Sequence, residues 1–225
     1  MKFTKLWIFF SCLLPVFSMA EETQLLKYGD YWIYSRKTFR AGKEPEVLYG
    51  QFRSFGVNAG KVFIAMSATP ERSKIFDEKF NPPFTPTGQF EDKCVFDVTL
   101  LGSLSTENMC ASPLHTGMQW TRKGFGRDTL KNCSYTVLGA EDIKVGAGVF
   151  RAVKINEHCE DPIMEAGTER ASKRVVNGVY WYAPAAKAMV KIEHEYFGLS
   201  DKPDVADTME LEAFGNGSVS AHGHP

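Results

Sequence analysis

His194 lies in the run Met189 to Tyr196 (MVKIEHEY), where strand alternation puts Val190, Ile192, His194 and Tyr196 on one face and Lys191, Glu193 and Glu195 on the other. Imidazole is the side chain that titrates closest to neutral pH, so a histidine on an apolar face can hold a ligand or serve as a base. The bland alternative is a core histidine satisfied by one hydrogen bond. No nucleophile can be placed beside His194 from sequence, which ranks a hydrolase built on it last. His158, between Glu157 and the run Cys159-Glu160-Asp161, resembles a ligand cluster on paper. In a strand, however, successive side chains alternate faces and do not converge. His222 and His224 form an H-x-H in the tail, at best an adventitious metal site. The chain has no G-x-S-x-G, H-E-x-x-H or P-loop. It reads as a non-enzyme, with no cofactor and no metal expected. Asn216-Gly217-Ser218 fits a glycosylation sequon, relevant only to a eukaryotic source.

Cysteine is the second reactive type. Cys12 falls in a leader and is discarded with it, leaving Cys94, Cys110, Cys133 and Cys159. An even count in an exported chain reads as two disulfides, with three possible connectivities. The midpoint of Cys94 and Cys110 is Gly102, in a GSLSTEN turn, and that of Cys133 and Cys159 is Gly146, in a VGAG turn. Each pair would face itself across a hairpin, which selects Cys94–Cys110 and Cys133–Cys159. A bridge closing a loop of this size stabilises by roughly 3 kcal/mol.

These residues must be positioned by strands. Tyr31 to Phe39, Val47 to Phe55 and Val62 to Ser67 are β-branched and aromatic runs separated by turns, and read as a meander. Cys94 to Leu101 alternates cleanly, and Met118 to Phe125 follows. Tyr135 to Ile143 and Val149 to Glu157 form a hairpin around VGAG, where Gly146 and Gly148 permit positive φ in a tight turn. Val176 to Tyr182 and Met189 to Tyr196 form the next, with Pro184 ending the first of them, and Met209 to Phe214 closes the series. The expected fold is all-β: one antiparallel β-barrel or half-barrel of about ten strands, with a β-sandwich as the alternative.

Residues 69–92 break the rhythm. They hold Pro70, Pro82, Pro83 and Pro86 with Phe76, Phe80, Phe84 and Phe90, and read as an irregular insertion. Its phenylalanines either cap the open end of the sheet or form a lid over an apolar site. The chain has 17 Phe, 8 Tyr and 4 Trp. Aromatics in excess of a filled core would line a cavity, and Trp120, Tyr180, Tyr182 and His194 are the expected lining.

Residues 1–20 have the form of a signal peptide: Lys2 and Lys5, an apolar stretch from Leu6 to Phe17, and the small-x-small site Ser18-Met19-Ala20. The apolar stretch is short of the roughly 20 residues a transmembrane helix needs. Cleavage near Ala20 would deliver a periplasmic or secreted chain, with one domain over 21–214 and a flexible tail over 215–225. Removing the two leader lysines from 26 basic residues leaves 24 against 27 acidic. That balance argues against a nucleic-acid partner.

Val145, Ala147, Gly148, Phe150 and Ala152, followed by Tyr180 to Pro184 (YWYAP) and Val190-Lys191, resemble the pattern of a bacterial exported β-sheet family of unknown function, the TapB-like group. The likeness covers roughly residues 117–196. The family has proline where Gly146 stands and Gly-x-Gly where Ala185-Ala186-Lys187-Ala188 stands. The resemblance implies an exported antiparallel domain and supplies no catalytic residue. The functional expectation is an exported non-enzymatic protein that binds an apolar small molecule or an envelope component. The alternative is a structural or adhesive protein that binds a partner.

Overall fold

In the computed structural model, residues 28–58, 61–76, 85–91, 114–123, 132–164, 171–198 and 202–215 are described. They form one open antiparallel sheet of ten strands: β1 (Tyr31–Arg40), β2 (Glu46–Asn58), β3 (Lys61–Thr69), β4 (Thr85–Glu91), β5 (Gln119–Lys123), β6 (Asn132–Val145), β7 (Gly148–Met164), β8 (Ala171–Ala183), β9 (Ala188–Phe197) and β10 (Val205–Gly215). A short helix, α1 (Arg72–Ile75), follows β3, and a 3-10 turn at Pro184–Ala186 joins β8 to β9. Pro184 ends β8, as its missing N–H requires. The sheet order is β4-β3-β2-β1-β10-β9-β8-β7-β6-β5, so among the described strands the first and last meet in the middle and β4 and β5 are the edges. The sheet is curled but not closed, which is the half-barrel form of the expected fold.

The curl follows from where β10 leaves β9. The two pair only from Val205↔Tyr196 to Glu210↔Lys191, and β10 then continues along β1 alone. The freed carbonyl of Leu211 accepts a hydrogen bond from the Ala147 N–H in the β6–β7 turn, at 2.8 Å. Gly146 is required by this approach, since a Cβ there would lie 2.7 Å from Glu212 Oε2 and 3.3 Å from its Cα. Of the two turn glycines, Gly148 takes a positive φ (135), and Gly146 is a glycine for lack of space.

The core fills the inside of the curl. Trp32, Tyr34, Phe52, Tyr135, Ile155, Met189, Ile192, Met209 and Leu211 are buried there, each large apolar side chain contributing about 1.5–3 kcal/mol. Polar tips inside it are satisfied by backbone: Trp32 Nε1 donates to the Ala186 carbonyl (2.7 Å) and the Tyr34 hydroxyl to that of Met189 (2.9 Å). Under the same turn Lys187, at φ 54, pairs with Asp30 at 2.8 Å, and both are buried.

Residues 69–92, expected to be irregular, contain α1 and the edge strand β4, which pairs with β3. Pro86 and Gly88 hid that strand from sequence; an edge tolerates proline because one side of its ladder has no partner. Phe76 ends α1, half-exposed under the Arg72 guanidinium at 4.8 Å, and Phe90 lies in β4 opposite Val62. Phe80, Phe84, the Cys94 to Leu101 run, the Cys94–Cys110 pair, the leader and the tail beyond 215 fall outside the described residues. Among the described residues no helix is long and apolar enough to cross a membrane.

Candidate functional site

Antiparallel register brings one line of residues together across the inner face. Trp120, Tyr135, Glu157, Gly178, His194, Asp207 and Thr38 are directly opposed in turn on β5, β6, β7, β8, β9, β10 and β1. On the flanking lines the same face is mostly apolar, with Ile155, Ile192 and Met209 among its residues. The site is therefore a polar seam through an apolar core.

At one end of the seam, Glu157 is buried beside His194. The Tyr135 hydroxyl donates to its Oε1 at 2.6 Å and the Tyr180 hydroxyl to its Oε2 at 2.7 Å. Tyr180 oxygen also lies 2.8 Å from His194 Nε2, and that nitrogen is 3.4 Å from Glu157 Oε2. A hydroxyl has one proton. If Tyr180 gives it to Glu157, Nε2 must carry the hydrogen of the imidazole and donate to the Tyr180 oxygen. Nδ1 is then a bare acceptor, and it is buried with no hydrogen-bond partner. Trp120 stacks on Tyr135, with ring centroids 5.1 Å apart and planes within 7°.

Gly178 makes this cluster possible. Its strand lies between β7 and β9, and a Cβ on it would fall 2.6 Å from Glu157 Oε2 and 2.8 Å from His194 Cδ2. The missing side chain lets a carboxylate and an imidazole meet across an intervening strand.

Burial alone would raise the Glu157 carboxyl, but His194 beside it and the hydroxyls of Tyr135 and Tyr180 outweigh burial and hold it below its ordinary value. Burial, reinforced by the Glu157 charge, pushes the Tyr180 hydroxyl well up. A carboxylate with a depressed folded-state value stabilises the fold above its unfolded value of 4.5, and that stability is lost as pH falls through the folded value. Urea midpoints should therefore fall for the native chain on acidification below about 4.5. Glu157→Gln should be weaker at pH 7 with a shallower acid limb. Parallel limbs for the two proteins would refute this.

Cys133 and Cys159, directly opposed on β6 and β7, form the expected disulfide. Their sulfurs lie within 4.8 Å of a Glu157 oxygen, a spacing that suits a metal ion. Disulfide sulfurs are not thiolates, however, and do not ligate.

At the other end of the seam, Asp207 is buried and fully engaged. Thr38 Oγ1 donates to Oδ1 at 2.6 Å, Arg36 Nε to the same oxygen at 3.3 Å, and Arg36 Nη2 to Oδ2 at 2.7 Å. Beside this group a cleft of about 460 Å³ opens between β1, β9 and β10, lined by Arg36, Arg40, Tyr196, Phe197, Val205 and Asp207 among others. Burial, then the Asp207 charge, pushes the Tyr196 hydroxyl up to about 12, so it is a neutral donor at physiological pH. Tyr196 also packs edge-on against His194, 5.9 Å between ring centroids, which links cleft and cluster. On the opposite face Trp181 is roofed by Lys154 and Lys191, 5.1 and 5.5 Å from its ring, and donates to Glu141 at 2.6 Å. A smaller groove of about 380 Å³ runs over Ser134, Leu138, Asn156, His158 and Asn177. Here His158 Nδ1 meets Asn177 at 2.8 Å, away from the inward-facing Cys159, as alternation requires.

Of the four residues expected to line a cavity, Tyr180 and His194 are brought together inside the cluster, and Trp120 joins it through Tyr135. Tyr182 lies one step further along β8, beyond a register shift, and pairs with Met189. None of the four lines the larger cleft. Sequence reasoning missed Glu157, Tyr135, Asp207, Thr38 and Arg36. The signal that could have found Glu157 was its shared phase with Cys159, once that cysteine was paired across the hairpin.

No protein-family model matches the chain, and no curated protein is significantly similar to it. Among solved structures, the chain is similar to a protein described as exported with a YmcC-like fold from Bacteroides fragilis. The two share 13% identity at a TM-score of 0.42, over 85% of this chain and 97% of that one. A protein described as a lipoprotein from Parabacteroides distasonis aligns at 11% identity and TM-score 0.40, over 85% of this chain and 100% of that one. A protein described as the hypothetical lipoprotein YmcC from Escherichia coli aligns at 13% and 0.34, over 87% of this chain and 90% of that one. Scores this low do not bear on what this chain does.

Proposed function

We propose that this chain is an exported, non-enzymatic binding protein that holds a small molecule with an apolar portion in the cleft between β1, β9 and β10. The observation that carries the reading is the cleft itself: about 460 Å³, within the usual range for small-molecule sites, walled partly by Phe197 and Val205 and floored by fixed polar groups. Export rests on the leader at residues 1–20 and fits the Cys133–Cys159 bridge. A hydrolase on His194 is not favoured. Its Nε2 is committed to Tyr180, and among the described residues no serine, threonine or thiol is hydrogen-bonded to it.

The test uses the mature chain and the uncharged apolar dye N-phenyl-1-naphthylamine. Saturable fluorescence enhancement is expected, and Val205→Trp, which places a large ring in the cleft, should reduce it by about tenfold or more. A chain that gives no enhancement, with native mass spectrometry showing only the bare polypeptide mass, would overturn the reading.

A further inference from the structure

Deepening that reading, and resting on it, we infer that the cleft selects ligands with an acidic head group, a carboxylate or a phosphate monoester on an apolar tail, with Arg36 as the recognising cation.

The argument begins with which guanidinium hydrogens are spent. Asp207 and Thr38 are buried, and Asp207 binds one edge of the Arg36 fork through Nε and Nη2. A planar guanidinium has five donors in fixed directions. The pairing fixes its plane and leaves the Nη1 hydrogens without a protein partner among the described residues. The side chain keeps 26% of its surface exposed and lines the cleft. An arginine held on one edge by a buried carboxylate and open on the other is a preorganised receptor for a second anion, because its side-chain entropy is already lost.

Two further donors line the same space. Tyr196 is neutral there and can give a hydrogen bond without charge repulsion. Arg40 is tied to Glu46 at 2.9 Å, but Glu46 is 69% exposed, and an exposed pair of this kind contributes little and exchanges readily. The remaining carboxylate of the lining, Asp204, is itself exposed and therefore screened by solvent. Phe197 and Val205 leave an apolar wall for the tail. Asp207 and Thr38 are positioning residues: they hold Arg36 and have no donor to offer an anion once their own bonds are made.

Displacement of the bound dye by eight-carbon probes tests this. Octanoate and octyl phosphate should displace it at concentrations about tenfold lower than octanol or octylamine, since a hydrogen bond to a charged group is stronger than one to a neutral group. Inorganic phosphate at the same concentrations should not displace it. Arg36→Gln should bring the acidic probes to octanol's level. Because that variant strands the Asp207 charge, the double variant Arg36→Gln/Asp207→Asn, which removes both charges, should show the same loss. Phosphatidic acid vesicles, which carry a phosphate monoester, distinguish a bilayer lipid from a free acidic amphiphile when read against phosphatidylcholine vesicles that correct for dye partition, and displacement by either source beyond that control supports the proposal. Equal displacement by acidic and uncharged probes, or stronger displacement by octylamine, overturns the head-group inference while leaving the binding reading intact. Failure of the dye itself to bind overturns the binding reading, and this inference with it.

Discussion

Replacing Lys187 by methionine should cost about 3–5 kcal/mol of folding stability, because it removes the ammonium that lies 2.8 Å from the buried Asp30 carboxylate. Lys187 is 3% exposed and Asp30 has no exposed side-chain surface, with 2.8 Å between Nζ and Oδ2. Methionine keeps a similar length and the same left-handed backbone penalty at φ 54, so the change isolates the charge. The pair holds the β8–β9 turn against the residue that precedes β1, 157 positions away. Asp30→Asn in the same chain should recover part of the loss, since a neutral amide tolerates burial better than a charged carboxylate. Urea unfolding followed by tryptophan fluorescence measures both. A loss below about 1 kcal/mol would mean that water reaches the pair and that it behaves like a surface contact.

Gly178→Ala is the second large effect. One methyl group would have to occupy space 2.6 Å from Glu157 Oε2 and 2.8 Å from His194 Cδ2. The strand cannot yield easily, because it is laddered on both sides to β7 and β9. Overpacking a core costs about 1–3 kcal/mol, and parting Glu157 from its donors adds the cost of a buried group left short of partners, about another 1–3 kcal/mol. A loss of about 3 kcal/mol is therefore expected, with the Glu157 acid limb flattened in the same protein. Val179→Ala, on the opposite, half-buried phase of the same strand, is the control and should cost less. Equal losses would show that the strand and not the void is what matters.

Much of this was legible in the chain. Alternation in MVKIEHEY placed His194 on the buried face, and the centre of the VGAG turn placed Cys133 opposite Cys159. Both are local signals, read within one strand or one hairpin. Glu157 was not legible as a partner of His194, because their meeting depends on register carried through β8 and on a glycine at the crossing. Asp207 and Arg36 required the pairing of β1 with β10, which no spacing announces. Lys187 looked like a turn residue of APAAKA, and nothing nearby in sequence pointed to Asp30. β4 was missed because Pro86 and Gly88 are poor strand formers, an argument that holds for a central strand and fails at an edge.

The meeting of β1 and β10 in the middle of the sheet sets a rule on timing. A chain delivered N-terminus first, by a ribosome or through a translocation channel, presents β1 first of the ten described strands and β10 last of them. Until β10 arrives, β1 to β4 and β5 to β9 are two ladders with no strand to join them. Asp207 cannot capture Arg36, 171 positions earlier, and the Arg36 face of the cleft does not exist. Closing so long a loop makes the joining step slow and late. A sheet assembled this way stays in two parts throughout delivery, and the cleft between β1, β9 and β10 forms only when β10 docks.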